Sequence, residues 1–269
     1  MAKKVVRCPR CGAGKIYRVR RGYARCAGCG YEWRPGRMPL KLTREEWRRV
    51  LHLFLLGLSS NKITEETGLQ KKRVLRALTK AREVMARDVP APFAGTVEID
   101  ETYVGGRHRN RRRKVRKNKA KRGRGTLKTP VFGILCRGGF VWAQVVPDTT
   151  AVTLLPLLEG QVKKGSTVCS DTWGPYTGVA YRGYVHRLVA HGDGQYADAA
   201  GNHINGLEGF WGYLKRQLAA KGGIRKERLP LYLAEYVWKY NHRKTPTKTQ
   251  ENALVKLLEN EALKPNFRG

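Results

Sequence analysis

A chain of 269 residues with 54 Lys and Arg against 21 Asp and Glu, a formal net charge of +33, carries a field suited to a polyanionic partner, and nucleic acid is the natural one. No apolar run reaches the roughly 18 residues of a bilayer-spanning helix, so nucleic acid fits better than membrane. The opening Met1-Ala2-Lys3-Lys4 leads into cysteines and arginines rather than an apolar signal core, which predicts a reducing, cytoplasmic, nucleoid-associated setting.

Four of the six cysteines fall in two knuckles, Cys8-Pro9-Arg10-Cys11 and Cys26-Ala27-Gly28-Cys29, separated by 14 residues with a turn at Gly22. Each knuckle offers two thiolates at the spacing of a tetrahedral Zn2+ site, and a hairpin between them brings the pairs together. Residues 1–36 are therefore predicted to form a zinc ribbon, too short to fold without its metal. Arg7, Arg10, Lys15, Arg18, Arg20, Arg21 and Arg25 around it make DNA contact plausible, although such ribbons also dock proteins.

Arg34 to Pro39 reads as a linker. Thr43-Arg44-Glu45-Glu46 is a capping box ahead of a stripe of Trp47, Val50, Leu51, Phe54 and Leu55. A short helix through Lys62–Glu66, a turn at Thr67-Gly68-Leu69 and a basic helix with Val74, Leu75, Leu78 and Ala81 follow. Residues 40–88 thus read as a helix-turn-helix, with Gln70, Lys71, Lys72, Arg73 and Arg76 facing a major groove. The plainer alternative is a three-helix module whose charges are simply solvated.

After a second linker at 88–93 the pattern changes to strands and helices. Gly95–Val104 is a β-branched, aromatic run in which Glu98, Asp100 and Thr102 share one face and Val97, Ile99 and Glu101 the other. Asp100 and Glu101 are neighbours in sequence but opposite in direction. From Arg107 to Lys128 there are 13 Lys or Arg and no acid, a basic insert suited to clamping a phosphate backbone without reading bases. Pro130–Cys136 and Phe140–Val146 form a hairpin around Arg137-Gly138-Gly139. Asp148-Thr149-Thr150 caps a helix carrying Leu154, Leu155, Leu157 and Leu158, and Ser166–Asp171 is a further strand ending at an acid. Cys136 and Cys169 read as inert, buried thiols, and His186, His191 and His203 as structural residues. Three antiparallel strands, a helix and another strand, with helices to follow, make an α/β domain over 95–245 with one main sheet, leaving 246–269 as a C-terminal tail.

In the segment from His203, residues Ile204, Leu207, Trp211, Leu214 and Leu218 mark the buried stripe of an amphipathic helix. Glu208 and Lys215 stand two turns apart on its edge. Gly206, Gly209 and Gly212 suggest close backbone approach, by DNA or a second subunit. Asp100, Asp171 and Glu208 are placed to converge, and crowded carboxylates in a basic protein suit Mg2+ in a two-metal site. Glu98, on the same face as Asp100, reads equally as a supporting group for them or as a peripheral salt-bridge partner.

The strings Val97-Glu98-Ile99-Asp100-Glu101-Thr102-Tyr103-Val104-Gly105-Gly106, Ser170-Asp171 with Tyr176, and His203-x-Asn205-x-x-Glu208-x-x-Trp211-x-x-Leu214-Lys215-Arg216 resemble the DDE transposases of prokaryotic insertion sequences that carry an N-terminal zinc ribbon, an ISXO-like group related to the eukaryotic Merlin transposases. Glu235–Arg243 resembles their C-terminal helix. The resemblance implies a ribonuclease-H-like catalytic domain behind the zinc ribbon and helix-turn-helix, and strand cleavage and transfer dependent on Mg2+ or Mn2+. It also implies binding to transposon ends and target DNA by a homodimer or higher synaptic complex. It makes Asp100, Asp171 and Glu208 the metal ligands, with Asn205 the second choice for the third position because an anionic oxygen holds Mg2+ better than an amide. Lys215, with Arg216 beside it, becomes a DNA phosphate contact. Two other functions fit parts of the pattern: a DNA-binding regulator or domesticated transposase without catalysis, and a ribonuclease-H-like nuclease or resolvase.

Overall fold

The computed structural model describes residues 7–8, 10–20, 22–35, 38–106, 128–171, 174–189 and 205–262. The basic insert other than Lys128, and the stretch 190–204 with His191, His203 and Ile204, lie outside the described residues. The chain divides into two compact units, one made of Met1–Arg87 and Thr245–Gly269, the other of Asp88–Lys244. No helix among the described residues is long and apolar enough to cross a membrane.

In the first unit, β1 (Ile16–Arg18), β2 (Ala24–Cys26) and β3 (Glu32–Trp33) form an antiparallel sheet. Gly22 turns the first pair at a φ of 77°, a conformation that costs glycine nothing. The buried residues of this sheet are Cys8, Ala24, Cys26 and Trp33, too few to fold it by burial alone. Helix α1 (Arg44–Leu55) opens on the capping box: the Glu46 N–H donates to Thr43 Oγ1 and the Thr43 N–H to Glu46 Oε2. Trp47, Val50, Leu51 and Phe54 are buried along one stripe. Helix α2 (Ser60–Thr67) begins two residues earlier than its apolar pattern suggests, because Ser59 caps it by accepting the Lys62 N–H. Gly68 ends it in the left-handed region, and α3 (Lys71–Arg87) follows, burying Val74, Ala77, Leu78 and Ala81.

The second unit is built on five strands: β4 (Thr96–Val104), β5 (Thr129–Cys136), β6 (Val141–Val145), β7 (Thr167–Ser170) and β8 (Val185–Leu188), in the order β6-β5-β4-β7-β8. The first three are mutually antiparallel, whereas β7 runs parallel to β4 and β8 parallel to β7. Helix α4 (Ala151–Gln161) links β6 to β7, and α5 (Asn205–Ala219) and α6 (Leu229–Asn241) come after the sheet. The alternation of β4 divides the packing between two faces. Val97 and Ile99 join Phe132, Ile134, Leu154, Leu158 and Val168 in one core. On the other face Val131, Leu135 and Val141 pack with Leu207, Phe210, Trp211, Leu214 and Tyr236 from α5 and α6. The result is a mixed sheet between helical layers.

Residues 247–262 of the segment read as a tail are helical. This helix, α7 (Thr247–Ala262), belongs to the first unit and packs on α1 and α3. Leu254, Val255 and Leu258 are buried in it. Its acids meet bases of the earlier helices: His52 Nδ1 lies 2.7 Å from Glu251, Lys80 2.9 Å from Glu261, and Arg44 and Arg87 pair with Glu259 and Glu261.

Candidate active site

Glu98 and Asp100, two residues apart on one face of β4, both engage α5. The Leu207 N–H at the start of that helix donates to Glu98 Oε2 at 2.8 Å, and the Trp211 indole Nε1–H donates to Asp100 Oδ2 at 2.9 Å. Glu98 is 1% exposed, with the Arg137 guanidinium 4.0 Å away. A carboxylate at a helix N-terminus meets both an otherwise orphaned N–H and the positive end of the helix dipole, so Glu98 anchors α5 to the sheet. The approach depends on Gly206, where a Cβ would sit 3.0 Å from Glu98 Oε2. The close contact anticipated at the glycines of this helix is thus made at Gly206 by the protein's own strand. Gly209 faces open space, and a Cβ at Gly212 would meet the Arg216 side chain.

Asp171 follows β7 directly. The parallel register pairs Thr96 with Thr167, Val97 with Val168 and Glu98 with Cys169. The pairing ends there and β7 ends at Ser170, with the register leading Asp171 toward the level of Asp100. Burial pushes the Asp100 carboxyl up to about 6. The charges of Asp171 and Glu208 add to that rise, against the Trp211 indole and the Glu101 N–H, which favour the ionised form. Asp171 and Glu208 therefore both lie within electrostatic reach of Asp100. Glu208 is exposed on the first turn of α5, and Asn205 is exposed at its first position. Lys215, two turns beyond Glu208, feels Asp100 as well. Burial lowers its ammonium pKa, Lys128 lowers it further, and Asp100 works in the opposite sense. Lys215 and Arg216 are both exposed. The site thus places two lysines within electrostatic reach of each other near the acids, one of them the last residue of the basic insert.

The opposite directions of Asp100 and Glu101 hold in the structure. Glu101 Oε2 accepts the Tyr176 hydroxyl at 2.7 Å. Burial, then the charges of Glu101, Asp100 and Asp171, hold that phenol well above its ordinary value, so it remains a proton donor. Tyr176 is buried beneath the acids, a role that its sequence position after Asp171 did not announce. His186 on β8 lies 2.8 Å from Ser170 Oγ, and burial lowers its pKa, consistent with a neutral structural imidazole.

Residues 92–241, which include every acid and base of this site, match the ISXO2-like transposase domain. The chain belongs to the ISXO2-like transposase family. A transposase-like protein of Haemophilus influenzae is 34% identical over 119 residues, covering 44% of this chain and 94% of the relative. A protein in transposable element ISH50 of Halobacterium salinarum is 28% identical over 275 aligned positions, covering 94% of this chain and 90% of that protein. Among solved structures, a pre-cleavage Mos1 transpososome aligns over 88% of this chain and 83% of that one at 10% identity, with a TM-score of 0.23.

In this transposase the predicted thiol cluster is assembled. Cys8, Cys11, Cys26 and Cys29 have ligand atoms all within 4.8 Å of one another, the only such group of His, Cys or acids among the described residues; the carboxylate trio is more widely spaced. The Sγ atoms of Cys8 and Cys29, and of Cys11 and Cys26, are 3.6 Å apart. A tetrahedron with zinc–sulfur bonds of about 2.3 Å has edges of about 3.8 Å, so the four thiols can hold Zn2+. Burial raises the Cys8 thiol, but N–H groups of Cys11 and Arg10 outweigh it and bring it down to about 7. At Cys11 the Ala13 N–H favours the thiolate, yet the neighbouring thiols of Cys29 and Cys26 push it up to about 12. The opposite shifts reflect four thiols competing for protons in one place, and a dication there would deprotonate them together.

Of the residues predicted to face a major groove, Gln70, Lys71, Lys72 and Arg76 are exposed at the start of α3. Arg73 is committed elsewhere: its guanidinium donates to the carbonyls of Lys41 at 2.7 Å and Leu40 at 3.4 Å. Leu40 and Lys41 both adopt positive φ, near 57° and 55°. That conformation is costly for side-chain-bearing residues, so Arg73 stabilises the turn that leads into α1.

Proposed function

We propose that this chain is an insertion-sequence transposase that binds transposon ends through its zinc ribbon and helix-turn-helix and catalyses Mg2+-dependent strand cleavage and strand transfer in its second unit. The observation that carries the reading is that Asp171, directly after β7, and Glu208, on α5, both act electrostatically on Asp100 of the neighbouring strand β4. The strand order, three antiparallel strands followed by two parallel ones, supports a ribonuclease-H-like domain.

The donor set fits a hard dication. Burial and the charges of Asp171 and Glu208 make the ionised form of Asp100 costly, and a bound dication would relieve that cost. Asp100, Asp171 and Glu208 would hold Mg2+ or Mn2+, with Asn205 as the second choice for the third ligand. When bound, the metal supplies Lewis-acid activation of a water or 3′-hydroxyl and stabilises charge on the leaving oxygen. The protein's own residues do the rest. Lys215 and Arg216, aided by Lys128, bind DNA phosphates near the acids. Glu98 holds the helix that carries Glu208, and Tyr176 fixes Glu101 away from the metal-facing side. Gln70, Lys71, Lys72 and Arg76 meet double-stranded DNA in the first unit, and pairing of two ends implies a dimer or higher assembly.

Asp171→Ala should retain binding to a terminal-repeat duplex and lose Mg2+-dependent nicking of it. Retained nicking would remove Asp171 from the site. Separate Glu208→Gln and Asn205→Ala variants decide the third ligand: only the former should abolish nicking.

A further inference from the structure

The indole of Trp211 occupies a gap in the sheet. Gly133 lies on β5 directly opposite Asp100 in the strand register. A Cβ at residue 133 would come within 2.5 Å of Trp211 Cη2 and 2.6 Å of Cζ2. Such distances are not tolerated between real atoms, so any side chain at 133 displaces the ring. Glycine within a central strand weakens it and commonly marks a close approach; here the approaching group is an indole whose N–H ends on Asp100.

Strand and helix spacing match at this point. Two residues of strand rise about 6.7 Å and four residues of helix about 6 Å. Glu98 and Asp100 can therefore meet Leu207 and Trp211 in step, fixing α5 along β4 at two points. Glu208 follows Leu207 directly, so the same two bonds determine where that acid stands relative to Asp100. An indole N–H only donates, and its partner here is an acid rather than a backbone carbonyl.

We propose that Trp211 and Gly133 are positioning residues for the metal: the indole, seated in the gap that Gly133 leaves in β5, fixes the Asp100 carboxylate in the orientation that receives the cation. This rests on the reading of Asp100 as a metal ligand. A carboxylate held by an N–H donor before the cation arrives loses less freedom on binding, and partners of this kind change metal affinity by about 10–100-fold when removed.

The test is Mn2+ binding to the full-length, zinc-loaded chain, followed by the electron paramagnetic resonance of free Mn2+, without DNA or turnover. Replacing Trp211 by β-(3-benzothienyl)alanine keeps the bicyclic shape and removes only the N–H, and Trp211→Phe does so more coarsely. Both should weaken Mn2+ binding by about 10–100-fold, the benzothienyl variant with a cooperative thermal transition of residues 88–244 and Trp211→Phe at a lower melting temperature. Gly133→Ala, which displaces the ring, should weaken Mn2+ binding likewise, at a lower melting temperature. If Trp211→Phe fails to fold, the benzothienyl variant decides. Wild-type Mn2+ affinity in the folded benzothienyl variant overturns the positioning role, provided that Asp100→Asn loses binding. If Asp100→Asn also binds Mn2+ as the wild type does, the metal assignment falls, and the proposal with it.

Discussion

Asp100→Asn should make the protein more stable while abolishing its chemistry. The side chain keeps its size, and its carbonyl oxygen can still accept the Trp211 N–H. What it loses is a charge that burial disfavours. The Asp100 carboxyl is raised from an ordinary 3.8 to about 6, by burial first and then by Asp171 and Glu208. At about 1.4 kcal/mol per unit, the ionised side chain costs the metal-free fold at most about 3 kcal/mol. The sign follows from proton binding. Between pH ~4 and ~6 the folded chain retains a proton that the unfolded chain has released, so stability falls as pH rises through that window. The advantage of the variant should therefore be absent near pH ~4 and complete above pH ~7. For a unit of this size it corresponds to a melting shift of about 6–12 °C at most. Differential scanning calorimetry of the full-length protein without added divalent cation, following the transition of the second unit at both pH values, measures it. Added Mg2+ should stabilise the wild type and not the variant. Equal melting at neutral pH, or a gap that persists unchanged at pH ~4, would refute the reasoning.

Glu98→Ala leaves the buried Leu207 N–H without its acceptor, and the urea midpoint should fall by the equivalent of about 1–3 kcal/mol, with Glu98→Gln recovering most of the loss. Replacing Cys26 and Cys29 together by Ser should abolish zinc in atomic absorption of the purified protein and weaken binding to a terminal-repeat duplex, while the second unit melts as before. Leu258→Ala, at a fully buried position of α7, should destabilise the first unit by about 2–5 kcal/mol in a denaturant titration and leave Mn2+ binding by the second unit unchanged.

The parts of the fold that follow strict periodicity were legible before any coordinates. The alternation of Thr96–Val104 separated Asp100 from Glu101, and those side chains do part, one to Trp211 and one to Tyr176. The stripe of Leu207, Trp211, Leu214 and Leu218 is the buried face of α5. The strand Val185–Leu188 escaped notice because it is a short edge strand, mostly exposed, with no apolar alternation. Gly133 was silent for another reason: a glycine in a strand declares a gap but not what fills it, and its occupant lies 78 residues away in the chain (211 − 133). Arg73 shows the limit of reading charge as surface, since one basic residue among several exposed ones is turned inward to two carbonyls. Residues 247–262 carry a helical pattern, but nothing local says that their apolar face belongs with α1 and α3.

The placement of α7 has a consequence for the order in which the protein matures. A ribosome delivers α1, α2 and α3 early, yet the surface that Leu254, Val255 and Leu258 cover stays open until the whole of the sheet unit has been made. The sheet unit is continuous in sequence, so its parts emerge from the ribosome without interruption. The unit proposed to engage DNA is interrupted and completes last. A product that ends before Thr245 would contain the whole sequence of the sheet unit and lack the helix that completes the first unit.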